Sequence, residues 1–203
     1  MAGVNVSDKR TAIRQSIRET RNNLSKNAQI CAAKNINVNF IQHLKLTKKT
    51  KKKHIAIYFS NDGEIDTSLL INNLWQENHV LYLPVIHPFN KANLLFQRYE
   101  KNSPMRANRY GILEPKLNCT QICPLANLDY LLMPLVAFDN QGNRLGMGGG
   151  FYDRTLARLH EQNWQKPQLI GLAHECQKVE KLPVESWDVP LKTIITPVQT
   201  YSW

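Results

Sequence analysis

The residues best suited to chemistry lie in one segment, Arg144 to Asp153, which we call the glycine turn. Four glycines fall within the five residues from Gly146 to Gly150, after an apolar stretch and before a predicted helix. Glycine permits backbone conformations and close ligand approach that a Cβ would prevent. Free N–H groups and the dipole at a helix start favour an anion. The segment therefore predicts a phosphate-binding site.

The two ends of the glycine turn carry opposite charges. Arg144 can pair with a phosphate through two hydrogen bonds, and Asp153 can hold a Mg²⁺ ion that bridges phosphates. No Gly-Lys-Ser/Thr follows, and Phe151 stands where the dinucleotide fingerprint has its third glycine. A plain strand-to-helix turn is the alternative interpretation. The flanking charges favour phosphate.

An arginine stripe lies near the beginning of the chain. Residues 8–24 have a helical apolar period, and Ser7 or Asp8 is expected to cap this helix. Four arginines share a face beside the apolar one. They are Arg10, Arg14, Arg18 and Arg21.

Short apolar runs alternate with helical patterns along the rest of the chain, which predicts an α/β fold. We expect one domain over residues 1–203: a three-layer α/β/α open sheet, mostly parallel and Rossmann-like. In such sheets ligands bind beyond the carboxyl ends of strands. The predicted strands are 54–59, 80–86, 94–99, 128–138, 169–173 and 193–195, and the predicted helices are 8–24, 25–44, 66–77 and 149–162.

Composition excludes several classes of protein. No run approaches the roughly 20 apolar residues needed to cross a bilayer, and the first residues lack the apolar core of a secretory signal. Four cysteines in 203 residues are too few for a disulfide scaffold. We therefore expect a cytoplasmic protein with no membrane partner, and a monomer.

The net charge of +10 depends strongly on one lysine run, Lys45 to Lys53. This run has no interleaved aromatic residues on which bases could stack. It is typical of an exposed loop, and nucleic acid is not the expected partner. The alternative is an RNA- or nucleotide-binding protein that uses the lysine run and the arginine stripe without catalysis.

The segment Pro134 to Arg154 resembles the signature of the 5-formyltetrahydrofolate cyclo-ligase family. Further matches follow in the family's order, so the resemblance covers nearly the whole chain. They are Arg10 and Arg14, Phe59-Ser60 with Glu64-Ile65-Asp66, Leu83-Pro84, Tyr110 to Pro115, and Trp187-Asp188-Val189-Pro190.

The resemblance implies ATP-driven cyclisation of 5-formyltetrahydrofolate, a reduced folate, to 5,10-methenyltetrahydrofolate, with release of ADP and phosphate. In the family's mechanism the formyl oxygen attacks the γ-phosphate, and N10 of the folate then displaces phosphate. ATP is thus a co-substrate and Mg²⁺ the expected cofactor. Positioning and charge stabilisation should dominate such a reaction.

The resemblance also implies roles for individual residues. Arg144, Tyr152 and Asp153 would be catalytic, and Asp153 and Asp188 would hold Mg²⁺. The residues implied for the folate are Phe59, Glu64, Pro84, Tyr110 and Tyr152. The residues implied for ATP are Arg10, Arg14, Arg144, Leu145, Gly146, Met147, Gly148, Gly149, Gly150, Phe151 and Tyr152.

Gly148→Val tests the phosphate role of the glycine turn. The added Cβ and branched methyl groups should block the approach of phosphate to the backbone. We expect ATP affinity to fall, as measured by calorimetric titration. Normal ATP affinity in a folded variant would refute the assignment.

Overall fold

The computed structural model describes residues 5–46, 51–90, 93–161 and 165–203. Within them the helices are α1 (Val6–Asn22), α2 (Lys26–Leu46), α3 (Ser68–Gln76) and α4 (Phe151–Glu161). The strands are β1 (His54–Ala56), β2 (Val80–Ile86), β3 (Leu94–Tyr99), β4 (Met105–Ala107), β5 (Leu113–Pro115), β6 (Ile122–Cys123), β7 (Tyr130–Pro134), β8 (Ala137–Phe138), β9 (Arg144–Leu145), β10 (Gln168–Leu172), β11 (Thr193–Ile195) and β12 (Thr200–Ser202).

Eight of these strands form one sheet in the order β12-β11-β10-β7-β1-β2-β3-β6. The five strands from β11 to β2 run parallel to one another. The outer strands β12, β3 and β6, of which β12 and β6 are the edges, pair in the antiparallel sense. The prediction of a mostly parallel α/β sheet is therefore confirmed.

The buried residues of the sheet alternate between two faces, as the two-residue period of a strand requires. Ile55 faces a cluster that contains Phe40 of α2 and Leu74 of α3. Its neighbour Ala56 faces the opposite cluster, which contains Leu156 of α4. Helices thus cover both faces, and the three-layer prediction is confirmed.

Strands β1 and β7 are neighbours whose chain connections diverge. From β1 the chain passes through α3 to β2 on one side, and from β7 it passes through α4 to β10 on the other. Because α3 and α4 lie on opposite faces, a gap opens at the carboxyl ends of this strand pair. The fold therefore places its crevice between residues 57–64 and residues 134–153.

Helix α1 begins earlier than predicted. Asn5, and not Ser7 or Asp8, caps it: the Asn5 Oδ1 atom accepts a hydrogen bond from the backbone N–H of Ser7. Ile13 and Ile17 pack on a third apolar cluster at the β8–β9 hairpin. The sequence prediction placed the cap inside the helix because Ser7 and Asp8 are themselves favourable capping types.

Several short strands were not predicted: β4, β5, β6, β9 and β12. Each has two or three residues, too few for an alternating pattern to be visible. The predicted helix end at Gln162 and residues 47–50 of the lysine run lie outside the described residues. No helix in the described part of the chain is long and apolar enough to cross a membrane.

Two leucines on α3 give a matched test of the core. Leu74 is fully buried, whereas the side chain of Leu69 is 42% exposed. Leu74→Ala is expected to lower the free energy of unfolding by about 2–5 kcal/mol, because it leaves a cavity. Leu69→Ala should change it by less than about 1 kcal/mol. Denaturant titration measures both, and equal losses would contradict the packing described.

Candidate active site

The glycine turn begins with strand β9 of the β8–β9 hairpin, whose tip is held by the buried carboxylate of Asp139. That carboxylate accepts hydrogen bonds from the backbone N–H groups of Gln141, Asn143 and Leu182. The tip in turn fixes where β9 ends and where the glycines begin. Gly148 has a φ of +96°, a left-handed conformation that favours glycine. The backbone here is shaped for close approach by a ligand.

Arg144, the first residue of the glycine turn, links strand β9 to neighbouring segments through its side chain. Its side chain is 5% exposed and donates to Asp153 Oδ1 at 2.6 Å and to the carbonyl oxygen of Val189 at 2.6 Å. Burial lowers the pKa of this guanidinium, and the charge of Asp153 works against that shift. Arg144 therefore ties the start of β9 to the first turn of α4.

Helix α1 supplies two further arginines to the same region. Arg14 donates from Nε to the carbonyl oxygen of Gly146 at 2.8 Å. A Cβ atom at Gly148 would lie 3.6 Å from Arg14 Cζ, so this guanidinium lies directly beside the glycines. Burial and the neighbouring charge of Arg10 lower the pKa of Arg14. A bound anion would relieve both effects.

Arg10 and Asp188, which the resemblance assigns to phosphate and to metal, are partners of one another. Two hydrogen bonds join them, at 2.5 and 3.0 Å, and Arg10 also donates to the carbonyl oxygen of Pro183. Burial works to raise the pKa of Asp188, but the hydrogen bonds from Arg10 and from the Glu185 N–H lower it. The pair closes one end of the site.

The opposite end of the site is apolar and aromatic and contains one carboxyl group, that of Glu64. Its Oε2 atom accepts from the backbone N–H of Asn61 at 3.0 Å. Burial raises the pKa of Glu64 to about 7. The hydroxyl of Tyr58, close by, is buried and has no hydrogen-bond partner. An unpaired buried hydroxyl and a carboxyl with a raised pKa indicate a place for a polar ligand.

A cleft of about 800 Å³ joins these two ends, a size typical of small-molecule sites. It brings together most of the predicted residues from five separate regions of the chain. Leu145 is buried behind the turn, and Asp188 lies behind Arg10, outside the lining. The predicted residues that line the cleft are Arg10, Arg14, Phe59, Glu64, Pro84, Tyr110, Arg144, Gly146, Met147, Gly148, Gly149, Gly150, Phe151, Tyr152 and Asp153.

Several residues that line the cleft were not predicted from the sequence. Tyr58 and Leu135 follow the strands β1 and β7, and Ile112 lies in the β4–β5 turn. Trp187 is 64% exposed and lines the cleft together with Glu185. Ile112, Leu135 and Trp187 lie within matched segments and Tyr58 and Glu185 lie within two residues of them, which was their only signal in the sequence.

A model of the 5-formyltetrahydrofolate cyclo-ligase family matches residues 6–197. The chain belongs to this family. The cyclo-ligase of Haemophilus influenzae is 53% identical over 192 residues, which cover 93% of this chain and 98% of that protein. The Escherichia coli K12 cyclo-ligase is 54% identical over 151 residues, 73% of this chain and 80% of that protein.

Two solved structures of 5,10-methenyltetrahydrofolate synthetases share the fold. That from Mycoplasma pneumoniae superposes with a TM-score of 0.71 at 27% identity, covering 93% of this chain and 98% of that one. That from Aquifex aeolicus gives 0.76 at 27% identity, covering 95% and 92%. The family resemblance read from the sequence is confirmed, whereas the residue roles within this cyclo-ligase fold stay predictions.

The raised pKa of Glu64 makes a prediction about stability. Below pH 4.5 the carboxyl is protonated in both the folded and the unfolded chain. Between pH 4.5 and about 7 the carboxyl is ionised in the unfolded chain before it is ionised in the folded one, so the free energy of unfolding falls as pH rises. Above about pH 7 this loss of stability is constant. Glu64→Gln should therefore gain stability relative to the wild-type protein as pH rises, by about 1–3 kcal/mol.

Denaturant titrations of both proteins at about pH 5 and about pH 8 measure this difference. Glu180→Gln is the matched control, because Glu180 is exposed. A difference between Glu64→Gln and wild type that is the same at both pH values would contradict the assignment of a buried carboxyl.

Proposed function

We propose that this protein catalyses the ATP-dependent cyclisation of 5-formyltetrahydrofolate to 5,10-methenyltetrahydrofolate, with release of ADP and phosphate. One observation carries the proposal: a single cleft joins a glycine turn flanked by arginines to an aromatic chamber that ends at Glu64. The first part suits a triphosphate and the second a flat heterocycle with N–H donors. Family membership supports the same pairing of substrates.

The chemistry requires an amide-like oxygen to become a leaving group. The formyl oxygen attacks the γ-phosphorus and ADP leaves; N10 of the folate then attacks the formyl carbon, N10 loses its proton, and phosphate departs. Each step moves negative charge onto phosphate oxygens. Arg14 and the N–H groups of the glycine turn would stabilise that charge.

Glu64 would orient the folate. Its carboxyl lines the cleft, where it could accept hydrogen bonds from the amide and amino edge of a pterin. Binding to its ionised form would lower its pKa from the raised value of the free protein. Phe59 and Pro84 would cover the faces of the ring, and Tyr110 would border the part of the folate nearer the cleft mouth.

Few of the described side chains at this site are suited to bind Mg²⁺. No group of three or more His, Cys, Asp or Glu side chains in the described ranges could hold a metal. Asp153 lines the cleft and Asp188 lies behind Arg10, so we propose that these two carboxylates hold a largely hydrated Mg²⁺ that arrives with ATP. The ion would supply neutralisation of phosphate charge. In the free protein Arg144 and Arg10 balance the same carboxylates.

An RNA-binding role without ligase chemistry is not favoured. Arg10 and Arg14 face the cleft, and Arg18 and Arg21 both pair with Asp62. The stripe is therefore committed to groups of the same chain and does not project as a basic surface. Nucleic acid remains an unexpected partner, and a cytoplasmic monomer remains our prediction.

A mixture of the protein, Mg-ATP and 5-formyltetrahydrofolate should show rising absorbance in the methenyl-folate band. Asp153→Ala and Asp153→Asn should both lower kcat by about 100-fold or more, because the charge that holds the metal is lost. Asp153→Asn keeps an oxygen that can accept the hydrogen bond from Arg144. This variant therefore separates the metal role of Asp153 from its structural contact with Arg144. Asp8→Ala is the control, since Asp8 is also in the first turn of a helix.

Absence of product with folded wild-type protein under several divalent metals would refute the proposed function. Unchanged kcat in both Asp153 variants, with product formed by wild type, would refute the metal role alone.

A further inference from the structure

Two arginines of the stripe on α1 have no place in the proposed chemistry. Arg18 and Arg21 lie two and three turns beyond Arg10 on the same helix face. Arg21 is the one buried residue of α1 and its side chain is 0% exposed. A fully buried guanidinium is costly unless its donors are paired, so its partners indicate what it holds in place.

Both arginines bind the carboxylate of Asp62, in the turn that leads to Glu64. Arg18 donates to it at 2.6 and 3.1 Å, and Arg21 donates at 2.7 Å. Asn22 adds a third donor at 3.2 Å. The hydrogen bonds from Arg18 contribute most to lowering the pKa of Asp62 to about 2, against the opposing effect of burial. The carboxylate is saturated by α1.

The turn held by Asp62 has an unusual backbone. Asp62 has a φ of +51°, and Gly63 follows with +73°. A Cβ at Gly63 would lie 2.4 Å from Asn22 Oδ1, so the turn packs against the end of α1 without space for a side chain. The Glu64 carboxyl is then fixed by the Asn61 N–H. The position of Glu64 therefore depends on the contact between Asp62 and α1.

The same helix also holds the nucleotide end of the cleft. Arg14 donates to the carbonyl oxygen of Gly146. Arg21 itself contacts both ends: it donates to the carbonyl oxygen of Asp62 at 2.7 Å, and its guanidinium lies 3.9 Å from the Sδ atom of Met147 in the glycine turn. Within α1, the hydrogen-bonded backbone makes these attachments move together.

We propose that Asp62 is a positioning residue, whose ion pairs with Arg18 and Arg21 set the Glu64 turn and make nucleotide and folate binding mutually dependent through α1. This inference rests on the proposed function. Because coupling between two binding sites is reciprocal, ordering of the glycine turn by nucleotide should tighten folate binding, and folate should tighten nucleotide binding to the same degree.

Asp62→Asn tests the ion pairs with little change in shape. Asparagine tolerates a positive φ and keeps one acceptor oxygen, so the turn itself is preserved. Arg18→Gln tests the same ion pairs from the arginine side, because it removes the more exposed of the two arginines that pair with Asp62. Arg98→Gln is its control, because Arg98 pairs with Glu100 outside the cleft and the two arginine side chains are 47% and 44% exposed.

Calorimetry on the full chain gives the dissociation constant of 5-formyltetrahydrofolate with and without a non-hydrolysable ATP analogue. In wild type the analogue should lower it by about fivefold or more. In Asp62→Asn and Arg18→Gln we expect that ratio to fall towards one. The KM of folate should rise by about tenfold, whereas the affinity for the analogue alone is retained. Arg98→Gln should behave as wild type.

Two results separate this inference from the proposed function. Product formed by wild type, with an unchanged folate KM and coupling ratio in both variants, would overturn the positioning role alone. Equal loss of affinity for both ligands would also overturn it, since that indicates general loosening of the fold. No product from wild type would refute the proposed function and this inference with it.

Discussion

Two buried arginines hold the walls of the cleft, and most of its geometry follows from their need for acceptors. Arg21 and Arg144 carry charges that are almost fully removed from water, which is tolerable only when each donor is paired. Arg21 takes its acceptors from the Glu64 turn and from the end of β7. Arg144 takes its acceptors from α4 and from Val189. Each arginine thus links a different pair of segments, and together they hold four segments around the cleft.

The sheet makes that space available. The connections from β1 and β7 leave towards opposite faces, so neither α3 nor α4 covers the carboxyl ends of these two strands. The loops that follow have to line a crevice, because the core layers on both sides are already filled by apolar side chains. Arginines from α1 then enter from outside. Helix α1 has little core of its own beyond Ile13 and Ile17, and it is attached chiefly by polar contacts to the loops of the cleft.

The cleft is electrostatically divided, and the division suits its two proposed ligands. At one end cations surround backbone N–H groups, which favours a polyanion. At the other end burial raises the pKa of Glu64 to about 7, and a ligand that donates hydrogen bonds to its ionised form would favour that form. Separation of these environments within one cavity allows a charged phosphate and a flat heterocycle to meet with their reacting atoms adjacent.

Much of this was readable in the sequence, for identifiable reasons. Strands β2, β3 and β11 were predicted with their observed bounds, and in β2 the reason is an apolar run that lies between His79 and His87. The glycine turn was recognised because clustered glycines flanked by Arg144 and Asp153 have few structural uses. The hairpin β4–β5, the cap at Asn5 and the cluster at Asp62 were not predicted. Their stability comes from partners distant along the chain, which leave no local period.

By itself, then, the sequence determined the layered sheet through its apolar periodicity and the family through its matched segments, and glycine spacing predicted a phosphate site at the glycine turn, because all of these are local properties. Only the tertiary structure decided which charges face the ligand and which face one another. Arg10 and Arg14 are indistinguishable as helix residues, yet one pairs with Asp188 and the other lies beside Gly148. Burial sets the pKa of Glu64 and the partners of Arg21, and burial is fixed only when distant segments pack together.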